Sequence, residues 1–205
     1  MSGELEIPDD RRFVSRGGLK LRHALDAFHL DPTGWTCADL GCSTGGFTDC
    51  LLQAGAARVV SIDTAYGEFA WKLRNDPRVE LRERTNALHA IPVAGGVRLV
   101  VIDLGWTPQR LVIPAALRWL APGGVIVSLI KPHYELKDEG RGGLPPGGVL
   151  AEGDAEAVTN RIVARMPEWG VRIVGLTRSP VLGGKAGSGK AKGNIEWLVA
   201  VEPVA

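Results

Sequence analysis

Two ionisable residues stand where apolar strand patterns stop. Asp103 closes the run LVVID and Lys131 follows GVIVSLI, so both emerge from hydrophobic strands at what would be the ligand-binding edge of a sheet. A lysine behind such a run faces desolvation, which lowers its pKa, while Asp103 close by raises it and fixes its direction. A second cation, Lys20, would push that pKa down again and leave Lys131 partly neutral. Glu196, placed in a final strand GNIEWLVAV, could hydrogen-bond an ammonium group or a substrate hydroxyl. The chemistry open to such a set is removal of a proton from a weakly acidic hydroxyl, aligned for attack on an electrophilic carbon. Taken singly, each residue reads as an ordinary ion pair or a strand-end cap.

ADLGCSTGGFTDC follows one strand pattern and opens a helix pattern, the position at which an open α/β sheet binds a nucleotide-like ligand. Gly41, Gly45 and Gly46 allow a sharp turn and close approach of main chain to a ligand. The full G-x-G-x-x-G spacing is missing, which favours a cofactor without a pyrophosphate. Asp63 ends the next strand about 20 residues on, where an acid accepts both hydroxyls of a ribose, so adenosine binding is expected.

The elements that must position these residues alternate. CADLG leads to a helix from Phe47 to Ala54, RVVSID to one from Glu68 to Arg74, and VELRE and RLVVIDL to one from Pro108 to Leu120. GVIVSLI is followed by a helix near Ala151 to Met166, then VRIVGLT and IEWLVAV. That alternation predicts a Rossmann-like α/β fold with a mostly parallel, doubly wound sheet. The last two strands are joined without a helix, which predicts one antiparallel strand at or near the edge. Ahead of the sheet, GGLKLRHALDAF puts Leu21, Ala24, Leu25 and Phe28 on one helical face, with Lys20 elsewhere on the turn.

Composition narrows the class. The chain has 205 residues, 45% of them apolar, enough for one domain spanning 1–205 whose first 30 residues form an extension and the helix carrying Lys20. No run approaches the roughly 20 apolar residues of a membrane span, and the N-terminus is polar where a signal peptide would be apolar, so a soluble cytoplasmic protein is expected. Cys37, Cys42 and Cys50 are odd in number and lack histidines at zinc spacing, which predicts reduced thiols and no metal. A net charge of +1 announces no nucleic acid by itself.

The segments FVSRGGLKL, DLGCSTGGFTDCLLQAGA, IDTAYGEFAWKLRNDPRV, ERTNA, VIDL, LIKPHYE and KGNIEWL, taken in order, are recognisable. Over roughly residues 12–200 the chain resembles the FtsJ-like ribose 2′-O-methyltransferases, and within them the methyltransferase domain of the TlyA type, often called hemolysins. The resemblance implies S-adenosylmethionine as cofactor, S-adenosylhomocysteine as product, and RNA, especially ribosomal RNA or a ribosomal subunit, as partner. It places a catalytic Lys–Asp–Lys–Glu tetrad on Lys20, Asp103, Lys131 and Glu196, with Lys131 as base. It also implies that Gly41, Ser43, Gly45, Gly46 and Phe47, together with Asp103, line the amino-acid and ribose portions of the cofactor, that Asp63 holds the ribose hydroxyls, and that Asn86 meets the adenine edge. Relatives usually carry an S4-like RNA-binding domain, whereas this chain begins almost at the Lys20 helix, so a protein partner could contribute to target choice. The segment LGWTPQ after Asp103 and the glycine- and proline-rich loop from Lys137 to Gly148 also depart from the family pattern.

Cations cluster at Arg11, Arg12, Arg16, Lys20 and Arg22, and again at Arg178, Lys185, Lys190 and Lys192. If the last loop opens at the carboxyl edge of the sheet, both clusters rim the crevice and track an RNA backbone, with Trp106 or Tyr134 stacking on a base. His133, two residues after the proposed base, could itself titrate near neutrality. GGKAGSGKA mimics a phosphate-binding loop, but Ala191 replaces the magnesium ligand and a strand follows it. The alternative to catalysis is an RNA-binding or ribosome-assembly factor of the same fold.

Overall fold

The computed structural model describes residues 12–138, 144–145, 147–184 and 193–204. The chain runs α1 (Gly17–Ala27), β1 (Thr36–Leu40), α2 (Gly46–Gln53), β2 (Arg58–Ile62), α3 (Trp71–Arg74), β3 (Val79–Arg82) and β4 (Val97–Ile102). It continues α4 (Gln109–Leu117), β5 (Leu120–Ile130), α5 (Pro132–Asp138), α6 (Glu152–Arg165), a 3-10 turn (Met166–Trp169), β6 (Val171–Arg178) and β7 (Trp197–Pro203). One seven-stranded sheet has the order β3-β2-β1-β4-β5-β7-β6. The first five positions are parallel, and β7 runs antiparallel to both β5 and β6. This is the Rossmann-like α/β fold expected from the alternating pattern, with the antiparallel strand next to the edge.

The central strands read as unbroken apolar runs because helices cover both faces. One core gathers Trp119, Ile113, Ile126 and Ile162 under α4 and α6. The other gathers Leu21, Leu25, Phe47 and Leu51 under α1 and α2. The expected stripe of α1 is buried at Leu21, Ala24 and Leu25, and Lys20 is buried with it. Phe28 closes the helix against Gly175, where any Cβ would lie 2.7 Å from its ring. His23 reaches Thr177 at 2.9 Å, tying α1 to β6.

Helix ends differ from the sequence reading for local reasons. The expected Glu68–Arg74 helix begins only at Trp71, because Glu83 holds the Gly67 amide at 2.7 Å and Gly67 sits at φ 80°. The Pro108–Leu120 helix ends at Leu117, and Trp119, fully buried, leads directly into β5. Glu135 of α5 accepts the Gln109 amide at 2.9 Å, placing a carboxylate at the start of α4, where the helix dipole favours it. Among the described residues, no helix is long and apolar enough to cross a membrane.

Candidate active site

The strand order reverses between β1 and β4, and the crevice at their carboxyl ends is where this fold binds ligands. Gly41 leaves β1 at φ 92°, and a Cβ there would stand 2.7 Å from the Asp103 carbonyl oxygen, so only glycine lets the two strand ends meet. Gly41 and Cys42 donate to the Ile62 carbonyl at 2.9 and 3.1 Å, which fixes the turn to the end of β2. Asp63, just beyond, accepts the Ser43 amide at 2.8 Å on one oxygen and the Ala65 amide at 2.8 Å on the other. Each oxygen keeps a lone pair, so the carboxylate is held in place and can still accept from a diol.

Beneath this turn lies a group the sequence reading passed over. Asp39 is fully buried in β1; Thr48 donates to Oδ2 at 2.6 Å, while Oδ1 has no partner among the described residues. Burial, opposed by the Thr48 bond and aided by the charges of Asp103 and Asp63, pushes its pKa up to about 7. An acid inside an otherwise apolar strand pattern was the available signal.

Four elements bring the tetrad together. Asp103 and Lys131 leave the adjacent parallel strands β4 and β5, and Lys131 Nζ lies 2.5 Å from Asp103 Oδ1 and 3.2 Å from the Leu104 carbonyl. Because β7 is antiparallel to β5, Trp197 pairs with Ile130 and the start of β7 comes to the same edge. Glu196 therefore sits one residue before the strand, rather than inside it as expected, beside the Lys131 end. Lys20 reaches over from α1 and meets Glu196 at 2.5 Å, both side chains nearly excluded from solvent. The two ion pairs line a cleft of about 620 Å³ with Arg16, His133 and Tyr134.

The electrostatics correct one expectation. Burial does oppose the charge on Lys131, but the carboxylates of Asp103 and Glu196 outweigh it, and its pKa is raised, not lowered. Lys131 therefore rests as an ammonium group. Burial likewise lifts Asp103, yet Lys131 and Lys20 hold its carboxyl below the usual range.

A model of FtsJ-like methyltransferases matches residues 13–198. The chain belongs to the FtsJ-like methyltransferase family. It is 42% identical to the 16S/23S rRNA (cytidine-2′-O)-methyltransferase TlyA of Mycobacterium tuberculosis over 93% of this chain and 68% of that protein. It is 38% identical to YqxC of Bacillus subtilis over 92% of this chain and 65% of that protein, so it spans only about two thirds of these relatives' length. A solved hemolysin-named protein of Streptococcus thermophilus superposes with a TM-score of 0.82 at 36% identity, over 99% of this chain and 70% of that one.

Family membership makes S-adenosylmethionine the cofactor. The residues present suit it: a glycine turn with no room for side chains and two carboxylates, Asp63 and Asp103, that complement a ligand carrying sulfonium and ammonium charges. Several residues expected at the cofactor are closely packed by protein atoms. The space beside Gly45 is filled by Leu73 and Phe69, and that beside Gly46 by Ser15 and the Gly18 main chain. Phe47 is 3% exposed and belongs to the α1–α2 core. These three build the turn, and what they can offer a ligand is main-chain N–H at the start of α2. Asn86 is exposed, and its side-chain oxygen accepts the Leu88 amide at 2.9 Å, leaving the amide nitrogen for an adenine edge.

The expected RNA rim is only partly free. β6 ends opposite the start of β7, Arg178 pairing with Trp197, so the intervening loop does open at the carboxyl edge. Arg16 lines the cleft and donates to the Gly184 carbonyl, and Arg12 is exposed. Arg22 is engaged by Asp26 at 2.5 Å and Arg178 by Glu152 at 2.5 Å, so neither offers an unneutralised cation. Arg11, Lys185, Lys190 and Lys192 lie outside the described residues, as does most of the phosphate-loop mimic. Trp106 and Tyr134 stack on each other with centroids 4.3 Å apart. Cys37, Cys42 and Cys50 are buried free thiols, and burial pushes Cys37 and Cys50 up to about 12.

Proposed function

We propose that this enzyme methylates a ribose 2′-hydroxyl in RNA, most specifically in ribosomal RNA, in the cytoplasm. The observation that carries this reading is the convergence of two tight ion pairs, Lys131 with Asp103 and Lys20 with Glu196, on one open cleft beside the glycine turn. When bound, S-adenosylmethionine supplies an electrophilic methyl group on a sulfonium. Asp63 holds the ribose hydroxyls of that cofactor, and Asn86 faces its adenine. Lys131, once deprotonated, takes the proton from the 2′-hydroxyl; Asp103 fixes its direction and stabilises the ammonium that results. Glu196, held by Lys20, accepts a hydrogen bond from the target ribose. Arg16 meets the phosphate backbone, and the exposed Trp106 gives a base a surface to stack on.

The names of the TlyA and YqxC relatives favour ribosomal RNA over a small molecule. Titration calorimetry with S-adenosylmethionine and methyl transfer to isolated ribosomal subunits test the reading together. Lys131→Ala should abolish transfer, a loss of at least about 100-fold for a general base, with cofactor affinity intact. Asp63→Ala should instead weaken cofactor binding by about tenfold or more, the worth of one charge-assisted hydrogen bond. Retained transfer in the first variant removes Lys131 as base. Full cofactor binding without transfer to any RNA favours an RNA-binding assembly factor.

A further inference from the structure

We infer that Glu135 is a positioning residue for Lys131, holding the connection that carries the lysine against the connection that carries the two acceptors aiming it. This rests on the reading of Lys131 as base. Lys131 Nζ is directed by Asp103 Oδ1 at 2.5 Å and by the Leu104 carbonyl at 3.2 Å. Both acceptors lie between β4 and α4, whereas Lys131 lies between β5 and α5. Pairing of β4 with β5 ends at Ile102 and Ser128, short of all three residues, so that ladder does not set their relative place. Buried side chains take over from there. Gln109, at the start of α4, accepts the Ser128 hydroxyl at 2.8 Å and donates through its side-chain amide to the Leu129 carbonyl at 3.2 Å, fixing α4 to β5. Its main-chain N–H donates to the Glu135 carboxylate at 2.9 Å, and the Glu135 amide donates to the Lys131 carbonyl at 3.3 Å. Glu135 thus joins the turn that begins at Lys131 to the head of α4. Gln109 and Glu135 are each 3% exposed.

Two further contacts span the same elements nearer the surface. Trp106 stacks on Tyr134, and Arg110 pairs with Asp138 through two hydrogen bonds of 2.8 Å. Trp106 is 66% exposed and the Arg110 side chain 45%, and a solvated ion pair does little to hold a geometry. The Glu135 bond differs in kind. It is shielded from water, it is charge-assisted, and it satisfies one of the main-chain donors that the start of a helix leaves without an internal partner. Loss of that carboxylate leaves a buried N–H unpaired and releases the first turn of α5, with the lysine at its head. Misplacement of a reacting group by about 1 Å costs on the order of 100-fold in rate. His133, also on α5, is a far weaker base than Lys131, because burial, with the charges of Lys131 and Lys20, brings its pKa down to about 4.

The test is steady-state methyl transfer to isolated ribosomal subunits, with cofactor affinity by calorimetry and thermal unfolding measured on every variant. Glu135→Leu removes the acceptor and keeps a side chain that fills the site. It should lower kcat at least about tenfold, while KM for the subunit and cofactor affinity stay within about threefold. Glu135→Gln keeps a side-chain oxygen for the Gln109 N–H and should return kcat to within about threefold of wild type. Arg110→Ala, which breaks only the outer ion pair, should leave kcat unchanged. Gln109→Met keeps the main-chain bond to Glu135 but unties α4 from β5; it should lower kcat in the same way, and it carries the test should Glu135→Leu fail to fold. Full kcat in Glu135→Leu or Gln109→Met, a loss that Glu135→Gln does not restore, an equal loss in Arg110→Ala, or a loss seen in KM or cofactor affinity would each overturn the inference. Transfer retained by Lys131→Ala would instead overturn the reading of Lys131 as base, and this inference with it.

Discussion

As the base we propose, Lys131 rests in a protonation state opposite to the one it needs. Its pKa is raised because Asp103, 2.5 Å away, and Glu196 outweigh the penalty of burial. A base with a raised pKa is active only in the small fraction that is neutral, and that fraction grows tenfold per pH unit until the pKa is passed. The rate of transfer, measured as kcat/KM for RNA at saturating cofactor, should therefore climb with a slope near one from pH 7 to beyond pH 9 without levelling. Asp103→Asn removes the largest upward influence while burial remains. The residual activity of that variant should level off at lower pH, and an unshifted profile would assign the titration to another group. In the proposed mechanism the ion pair trades resting reactivity for direction: Asp103 aims Nζ and holds the charge it would gain.

At the scale of elements, the cleft depends on how two loops are held together. Asn194, just before β7, accepts the Leu150 amide at 3.0 Å and donates to the Gly148 carbonyl at 2.9 Å, while its own carbonyl accepts the Gly183 amide at 2.8 Å. One side chain thereby joins the segment leading into α6 to the stretch before β7 that carries Glu196, and Gly183 packs so close that a Cβ would fall 2.2 Å from the Glu196 carboxylate. Only an amide supplies both a donor and an acceptor here. Asn194→Asp would set a carboxylate against the Gly148 carbonyl, forfeiting about 1–3 kcal/mol. The expected result is a KM for RNA raised roughly tenfold with cofactor affinity unchanged, read by steady-state kinetics and calorimetry. A fall in kcat alone would mean that the loops do not shape the cleft.

For the whole molecule, the acid at the centre of the sheet sets a pH dependence of stability. Asp39 has a folded pKa of about 7 against an ordinary value of 3.8, so between those values the fold binds a proton that the unfolded chain releases. Stability contributed by that proton is present at low pH and declines as pH rises through the window, by an amount on the order of 4 kcal/mol. Asp39→Asn cannot ionise. Urea unfolding should show its stability relative to wild type improving by several kcal/mol between pH 5 and pH 8, and an equal difference at both values would place the proton elsewhere. Placing this acid in β1, beneath the glycine turn, costs stability in the resting enzyme at neutral pH.

The fold class, the antiparallel strand beside the edge, the Asp103 and Lys131 strand ends and the Asp63 position were all legible in sequence, because strand and helix periods are local and strand ends mark the ligand edge. The tetrad as a set was legible only through family resemblance. What tertiary structure decided follows from contacts distant in sequence. Insertion of β7 between β5 and β6 carried Glu196 to Lys131, and α1 delivered Lys20 to Glu196 across 176 residues. The direction of the Lys131 shift reversed because two carboxylates, and not burial alone, surround it. Helix packing took the ring of Phe47 into the α1–α2 core, and Arg22 and Arg178 were already paired with Asp26 and Glu152. Charge balance and the occupancy of space are sums over neighbours that a linear pattern does not contain.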